Sequence, residues 1–486
     1  MGQRNSGKQR DMQSGNSERI SYQKGVETLL TRDKSFYRTF IKLMSALMLQ
    51  QAVVLSVNLA DNVMLGGYSE TALSGVAAVN QIQFILQQLI FGISNGMVVL
   101  ASQYWGQKKT DPVRRLMAVA FWAALAIAAL LLALVSLFPH GAVGIFTNDE
   151  NIVRQGMDYL AIVRFSYLFF AVTTILLGGM RVVEKVNIAL YVSIVALVLN
   201  CSINYTLING RFGFPEMGVR GAAIGTLTAR IVECLIVACY VLIRDERLKL
   251  RAKDLVSVDI ALVNDYIRVS LPVVTTGFLW GCNTALQTVI LGHMSSGAIA
   301  AHSISSAIFL FLKVTSVGAS SAAAILTGKT VGTGDVAKVR EYTRTFQVIF
   351  LCIGVLLGTI LFLIRIPLLG LYVLEPETES LANAFILIES TVLVAMSYQM
   401  CMNTGVICGG GDTRYVMIMD LIVIWCIVIP LSFACAFLWN ASPVIVLLVL
   451  NADQYLKCIP AAIYGNSFRW IRQLTRTEEQ ERSSAG

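Results

Sequence analysis

The sequence contains an internal repeat, with the second copy 226 positions after the first. Small residues recur at this offset over about 80 residues, which marks a duplicated structural unit. The matched pairs are Gly66 and Gly292, Ala72 and Ala298, Gly92 and Gly318, Gly106 and Gly332, and Gly144 and Gly370. Glycine is favoured where two backbones approach closely. The duplication therefore predicts two equivalent halves whose helices pack tightly at repeated positions.

The composition places both halves in a membrane. Of the 486 residues, 56% are hydrophobic and 14% are charged, whereas charged residues make up about 25% of an ordinary soluble domain. Twelve apolar runs are long enough to cross a bilayer. These predicted spans are 37–64, 72–103, 114–138, 153–179, 186–209, 219–243, 262–291, 297–328, 340–364, 380–405, 413–438 and 443–467. The predicted fold class is an all-α membrane protein with twelve transmembrane helices in two pseudo-symmetric six-helix lobes.

The charged segment between spans 6 and 7 separates the two copies. We divide the chain into a polar tail (1–35), an N-lobe with spans 1–6 (36–243), a linker (244–259), a C-lobe with spans 7–12 (260–468) and a second tail (469–486). Each repeat crosses the membrane an even number of times, so both copies have the same orientation. The axis that relates the lobes is therefore expected to lie along the membrane normal.

The positive charges predict the orientation. With the N-terminus inside, 29 of the 38 Lys and Arg residues fall in cytoplasmic segments, as the positive-inside rule requires. We therefore expect a multi-pass protein of the cell (plasma) membrane with both termini, and the linker 244–259, in the cytoplasm. The net charge of +8 is explained by these helix-end cations, so nucleic acid is not an expected partner.

Four motifs add specificity. They are Asn58 to Gly67 at the end of span 1, Gly92 to Gly106 in span 2, Asn200 to Ala223 across spans 5 and 6, and Gly409-Gly410-Gly411-Asp412-Thr413-Arg414 before span 11. Together with the duplication, they resemble the multidrug and toxic compound extrusion (MATE) family, of the bacterial type, over about residues 36–468.

The resemblance implies a secondary active antiporter and not an enzyme. Members of this family export cationic amphipathic organic compounds in exchange for H⁺ or Na⁺, by alternating access to a cleft between the lobes. We accordingly expect small organic cations and the lipid bilayer as partners, no cofactor, and a monomer. Two alternatives are a flippase for a lipid-linked saccharide, which would line its cleft with several cations, and a passive channel.

Asp61 is the main candidate for binding the coupling ion. A charge in the hydrocarbon costs at least about 2.5–3.5 kcal/mol, and Asp61 ends an otherwise uncharged run with Asn58 one turn before it. A carboxylate beside amide oxygens can exchange a proton or coordinate Na⁺, and the resemblance places a coupling-ion aspartate here. The alternative is an interfacial aspartate near the lipid headgroups. No metal site is predicted apart from a Na⁺ that Asp61 could hold.

Asn200 and Asn204 complete the predicted ion site. They lie one turn apart in span 5 and share a helix face. The archaeal-like, DinF-type branch of the family has an acidic residue in place of Asn204, so Asp61 remains the main titratable group on this face. The alternative role for both amides is to hold helices together, at about 0.6 kcal/mol each.

The predicted substrate-binding residues are Glu389, Gln287, Gln83, Gln87 and Lys313. Glu389 and Lys313 are intramembrane charges without a partner one turn away. For Glu389 the sequence leaves open a second possibility, an ion pair across the cleft with Arg164. Gln287 occupies the repeat position of Asp61, and the other two glutamines belong to the amide-rich span 2.

Two further pairs of intramembrane charges are spaced to neutralise each other within one helix. These pairs are Arg230 with Glu233 in span 6, and Asp453 with Lys457 in span 12. We expect both to be structural ion pairs.

Overall fold

The computed structural model of the chain describes residues 30–147, 149–256, 259–294, 296–370 and 374–476. All regular secondary structure in these segments is helical. The polar tail predicted for residues 1–35 lies largely outside the described residues, and the first helix begins at Lys34.

The N-lobe contains six long helical segments, in the order predicted. They are α1 (Lys34–Gly66), α2 (Glu70–Gly106), α3 (Thr110–Leu137), α4 (Glu150–Val163 followed by Ser166–Val182), α5 (Asn187–Leu207) and α6 (Gly218–Cys239, continued by the π-helical turn Tyr240–Arg244). The two parts of α4 are bent by 53°. Short helices at Pro139–Gly144, Arg211–Gly213 and Ala252–Val256 lie in the connections.

The C-lobe repeats this arrangement with less regular helices. Its members are α7 (Ile260–Gly292), α8 (Ser296–Gly332), α9 (Val336–Leu369), α10 (Pro376–Met400, continued by Cys401–Ile407), α11 (Thr413–Asp420, Leu421–Val428, Ile429–Phe433 and Ala434–Leu438) and α12 (Pro443–Leu450, Ala452–Leu456 and Cys458–Ser467). Ten of the helical runs are long and apolar enough to cross a membrane, or 11 when α4 counts as one bent span. The 33-residue α7 is the remaining predicted span. The chain is thus a multi-pass membrane protein.

Four of the repeated glycines, in α2 and α8, lie where the two lobes touch. We call the end of the bundle where α1 begins and α12 ends the terminal face. Near it, a Cβ on Gly106 would overlap the carbonyl oxygen of Lys329, and a Cβ on Gly332 would overlap that of Gln103. Gln103 and Lys329 are themselves 226 positions apart. The two contacts are therefore mates, and the pseudo-twofold axis passes between Gly106 and Gly332.

A second mated pair of contacts lies further along the same helices. A Cβ on Gly92 of α2 would lie 2.6 Å from Cα of Val274 in α7. A Cβ on Gly318 of α8 would lie 3.0 Å from the backbone nitrogen of Met48 in α1. Because Met48 and Val274 are again 226 positions apart, each lobe packs against the other in the same way. Both contacts involve the halves of these helices nearer the terminal face, so the lobes are closed together there.

Polar contacts reinforce this closure. The hydroxyl of Tyr342 in α9 donates to Oδ2 of Asp33 at 2.6 Å, and Asp33 caps the start of α1. Hydrogen bonds from Ser35 and Tyr342 lower the pKa of the Asp33 carboxyl. Lys329 of α8 forms an ion pair with Glu184, which lies after α4.

The described part of the second tail is docked rather than free. We call residues 469–476 the tail strap. The Trp470 side chain is fully buried, and its indole N–H donates to the carbonyl oxygen of Gly465 at 2.9 Å. The guanidinium of Arg472 pairs with the buried Asp412 at 2.7 Å. These contacts attach the strap to the C-lobe.

The same strap also reaches the N-lobe. The Gln103 side chain on α2 donates to the carbonyl oxygen of Arg472 at 3.0 Å and accepts from the backbone N–H of Leu474 at 2.8 Å. Arg476 then pairs with Asp265 of α7 at 2.6 Å. The strap therefore spans both lobes across the closed terminal face.

Candidate functional site

A cavity of about 380 Å³ lies in the half of the N-lobe away from the terminal face. Helices α1, α2, α4, α5 and α6 form its walls, and α7 contributes Thr284. Its polar lining consists of Asn58, Asp61, Asn62, Asn80, Gln81, Gln83, Gln87, Tyr159, Ser193, Asn200, Thr226, Arg230, Glu233 and Thr284. Asn58, Asn62 and Gln81 are exposed, so the cavity is accessible from outside the protein.

The predicted ion-site residues are brought together here. The Asn204 amide donates to Oδ1 of Asp61 at 2.6 Å and lies 3.3 Å from Oδ1 of Asn200. The Asn200 amide in turn lies 3.4 Å from the hydroxyl of Thr226. Asn58 lines the same cavity from α1. The sequence prediction that α5 places two amides on the face toward Asp61 therefore agrees with the geometry.

Helix α6 is shaped to admit Asn204. A Cβ on Gly225 would overlap Oδ1 of the Asn204 side chain, so an alanine there would displace the amide that bonds Asp61. The same Oδ1 is buried and has no hydrogen-bond partner among the described residues. It remains an acceptor that a bound cation or a donor could use.

Sequence reasoning missed two charged members of this cavity. Arg230 and Glu233 form the predicted intrahelical ion pair, at 2.8 Å, but the pair lines the cavity together with Asp61. The Arg230 guanidinium also lies 5.2 Å from the centre of the Phe170 ring. A usable signal was the spacing of Thr226, Arg230 and Glu233, since steps of four and three residues place all of them on one face of α6.

The predicted substrate-binding residues are divided between the lobes. Gln83 and Gln87 line the N-lobe cavity. Gln287 instead donates to the carbonyl oxygen of Leu450 at 3.4 Å. The ammonium of Lys313 lies 4.3 Å from the centre of the Trp280 ring. The structure does not bring these C-lobe side chains into the cavity that contains Asp61.

The ion pair between Glu389 and Arg164, which the sequence left open as an alternative, is not formed in this structure. Glu389 is 4% exposed, and its Oε1 accepts from the hydroxyl of Ser305 at 3.1 Å. Oε2 of Glu389 and Nε of Arg164 are both buried without a hydrogen-bond partner among the described residues, and no ion pair joins the two side chains. Arg164 lies at the bend of α4. The repeat explains why the two do not meet. The mate of Glu389 is Val163, whose side chain is fully buried, so this position faces the interior of its own lobe.

The second predicted pair of charges belongs to a buried cluster in the C-lobe. Lys457 pairs with Asp453 at 3.1 Å, as predicted, and also with Asp420 of α11 at 2.7 Å.

Among the described residues, no group of three or more His, Cys, Asp and Glu side chains is placed to hold a metal ion.

Comparisons with known proteins agree with this architecture. The family model for MatE matches residues 46–206 and again 272–434, so that its two copies begin 226 positions apart and occupy one lobe each. The chain is 26% identical over 444 residues to a probable multidrug resistance protein NorM of Thermotoga maritima, covering 91% of this chain and 95% of that protein. It is also 26% identical over 394 residues to a probable multidrug resistance protein NorM of Agrobacterium fabrum, covering 80% of this chain and 84% of that one.

A solved structure shows the same fold. The MATE transporter VcmN of Vibrio cholerae superposes with a TM-score of 0.81 at 18% identity, covering 90% of this chain and 99% of that one. The repeated helix order, the glycine-lined lobe contacts and the twofold match of the family model thus agree. The chain belongs to the MatE family, the MATE transporters, and is a membrane transport protein, not an enzyme.

Proposed function

We propose that this chain is a secondary active antiporter that exports cationic amphipathic organic compounds in exchange for H⁺ or Na⁺. Its relatives from Thermotoga maritima and Agrobacterium fabrum are named probable multidrug resistance proteins, which supports drug efflux as the activity. The terminal face would be cytoplasmic, in the plasma membrane, as the positive charges predict.

The charge of the N-lobe cavity is the observation that carries the proposal. Its described lining contains two carboxylates, Asp61 and Glu233, and one guanidinium, Arg230. With all three ionised, the cavity holds one net negative charge among apolar helices. One proton, one Na⁺ or one organic monocation would neutralise it. Ligands that compete for one charge, and that favour different lobe arrangements, are coupled through their differential affinities.

The lobe contacts support alternating access. The lobes are closed at the terminal face, while the cavity is reached from the other side. With the terminal face in the cytoplasm, this is the state that would release a drug outside and take up the coupling ion. The opposite state requires the contacts around Gly106 and Gly332 to open.

Three C-lobe residues form the second part of the proposed drug-binding surface. We propose that Glu389, Gln287 and Lys313 contact substrate in a state where the lobes are arranged differently. Neither alternative function gains support from the site. A saccharide flippase would need several cations for a lipid phosphate, and Arg230 is the one cation in the described cavity lining.

The test is transport of a cationic dye into proteoliposomes, driven separately by a pH gradient and by a Na⁺ gradient. We expect one gradient to drive uptake by the unaltered protein. Asp61→Asn should insert and fold normally but lose more than about 90% of the driven uptake, because a carboxylate that binds the ion is removed.

The matched control is Glu70→Gln, an exposed carboxylate in the first turn of α2. This variant should transport normally. Full transport by Asp61→Asn at equal protein content would refute the ion-site assignment. Lipid scrambling in the same vesicles, without dye uptake, would favour the flippase.

A further inference from the structure

We propose that Arg230 is a resident cation of the exchange site and that, held by Glu233, it sets the affinity of Asp61 for the coupling ion. This inference rests on the proposed antiport and adds two positioning residues from α6 to it. The sequence predicted Arg230 and Glu233 as a merely structural ion pair, whereas the proposal gives the pair a role in ion binding.

The geometry holds the guanidinium beside the site without committing it to Asp61. Arg230 binds Oε2 of Glu233 at 2.8 Å, and the Glu233 side chain is 7% exposed. The Phe170 ring, 5.2 Å from the guanidinium, restricts it from another side. Arg230 and Asp61 line the same cavity, which brings the guanidinium close to the carboxylate. An arginine has five N–H donors, so one that binds Glu233 still has donors available for a second carboxylate.

The charged groups around Asp61 are few. Helix α6 presents Arg230 and Glu233, α4 presents the phenol of Tyr159, and α5 presents the thiol of Cys201. The described cavity lining from α2 and α7 is uncharged. At physiological pH, phenols and thiols are mostly neutral. The balance of charge at Asp61 therefore depends on the α6 pair.

The pair acts on Asp61 in two opposite ways. A guanidinium near a carboxylate competes with any arriving cation, and a carboxylate that holds the guanidinium weakens this competition. Removal of Arg230 should therefore strengthen cation binding at Asp61. Removal of Glu233 should release Arg230 toward Asp61 and weaken it. A purely structural pair would give both variants the same defect.

The experiment is equilibrium binding of ethidium to the purified protein, with displacement by protons in a pH series or by Na⁺ at fixed pH. For each variant the dye is kept well below its own dissociation constant, so that the midpoint reports the affinity of the ion rather than that of the dye. Arg230→Gln should move the displacement midpoint toward higher pH by about one unit, or tighten Na⁺ displacement about tenfold. Glu233→Gln should move it the other way. Arg230→Lys keeps the charge and should lie close to the unaltered protein.

The matched control is Arg220→Gln, on the same helix as Arg230, which breaks an exposed ion pair of 2.8 Å with Asp158 of α4. It should leave the midpoint unchanged. Shifts of equal sign in Arg230→Gln and Glu233→Gln, or no shift in either, would overturn the inference while ion displacement in the unaltered protein still supports antiport. If neither ion displaces the dye from the unaltered protein, the proposed antiport itself fails. If Arg230→Gln does not fold, the direction of the Glu233→Gln shift decides the inference.

Discussion

Asp61 is surrounded by side chains whose placement depends on small residues. The amide of Asn204 reaches it at 2.6 Å because Gly225 leaves room on the facing helix. A half-buried carboxylate within a membrane span needs such donors, since a charge removed from water without partners is costly. The amides hold the carboxylate in place without neutralising it, which leaves its charge for a cation to balance.

Sequence reasoning identified the intramembrane polar groups that have no charged partner in their own helix, and it missed the groups that have one. Asp61, Asn200 and Asn204 were predicted because each is costly in a membrane and has no obvious charged partner in its own helix. Arg230 and Glu233 satisfy each other one turn apart, so sequence reasoning gave them a structural role although they share a helix face with Thr226. Which face of α6 meets α1 is decided by tertiary packing, and a local charge pattern does not contain that information.

Glu389 permits a test at the scale of one side chain. We expect Glu389→Gln to weaken binding of a cationic dye by about three- to tenfold, because a charged partner is replaced by a neutral one. Displacement of the dye by the coupling ion should remain close to normal, because Asp61 lies in the other lobe. Both quantities can be measured by dye fluorescence in one titration series.

Ser305→Ala is the matched control for Glu389. It removes the hydrogen bond at 3.1 Å but keeps the carboxyl, so dye affinity should stay near that of the unaltered protein. If Glu389→Gln lowers thermal stability without changing dye affinity, Glu389 is a packing residue and does not belong to the substrate site. Neutralising Arg164 should not rescue it, since the structure does not pair the two.

At the scale of helices, the glycine contacts make the lobe interface adjustable. Glycines in α2 and α8 bring backbones together with little side-chain interlocking, so the interface can separate without pulling long side chains out of pockets. The duplicated positions ensure that each lobe contributes the same contact. This symmetry was predictable from the sequence offset, whereas the role of each glycine required the structure.

Gly332→Ala should shift the lobes toward the state that is open at the terminal face. Its new Cβ would overlap the backbone oxygen of Gln103, and such overpacking typically costs about 1–3 kcal/mol. We expect a longer distance between spin labels at positions 111 and 337, one on each lobe at this face. Pulsed electron paramagnetic resonance measures that distance.

Gly354→Ala gives comparable crowding within the C-lobe, where a Cβ would lie 2.8 Å from the carbonyl oxygen of Val394. It should lower thermal stability and leave the label distance unchanged. An equal distance change in both variants would mean that the Gly332 contact does not specifically control closure.

The twelve spans were predicted because hydropathy and length are read directly from sequence. The bend in α4 and the π-helical parts of α10 and α11 were not predicted. These features change the local hydrogen-bond pattern but leave the helix apolar, so hydropathy does not reveal them. The glycine-rich motif before span 11 forms a turn: Gly411 has a φ of +107°, and Asp412 accepts from the N–H of Tyr415 at 3.3 Å.

At the scale of the whole molecule, orientation in the membrane can be tested by labelling. Of four positions for single cysteines, position 147 lies in a connection and position 377 in the first turn of α10, both away from the terminal face. Positions 110 and 249 lie near the terminal face. In a variant lacking the native cysteines, an impermeant thiol reagent added outside intact cells should label the first two positions and not the other two. The reverse pattern would place the terminal face outside and reverse the proposed direction of export.

The tail strap has a consequence for how the protein is made. Residues 469–476 follow all twelve helices, so the ribosome synthesises both lobes completely before the segment that joins them exists. During that interval the newly inserted lobes lack the contacts that the strap makes with both of them. A chain that ends at residue 468 should therefore insert with all its helices but remain more open at the terminal face. We expect faster reaction of a cysteine at position 102, which is buried where α2 meets Gly328 of α8, with a thiol reagent in inverted vesicles, by about threefold or more if the strap contributes on the order of 0.7 kcal/mol. Reaction at the same rate in both chains would mean that the strap does not stabilise the closed arrangement of the lobes.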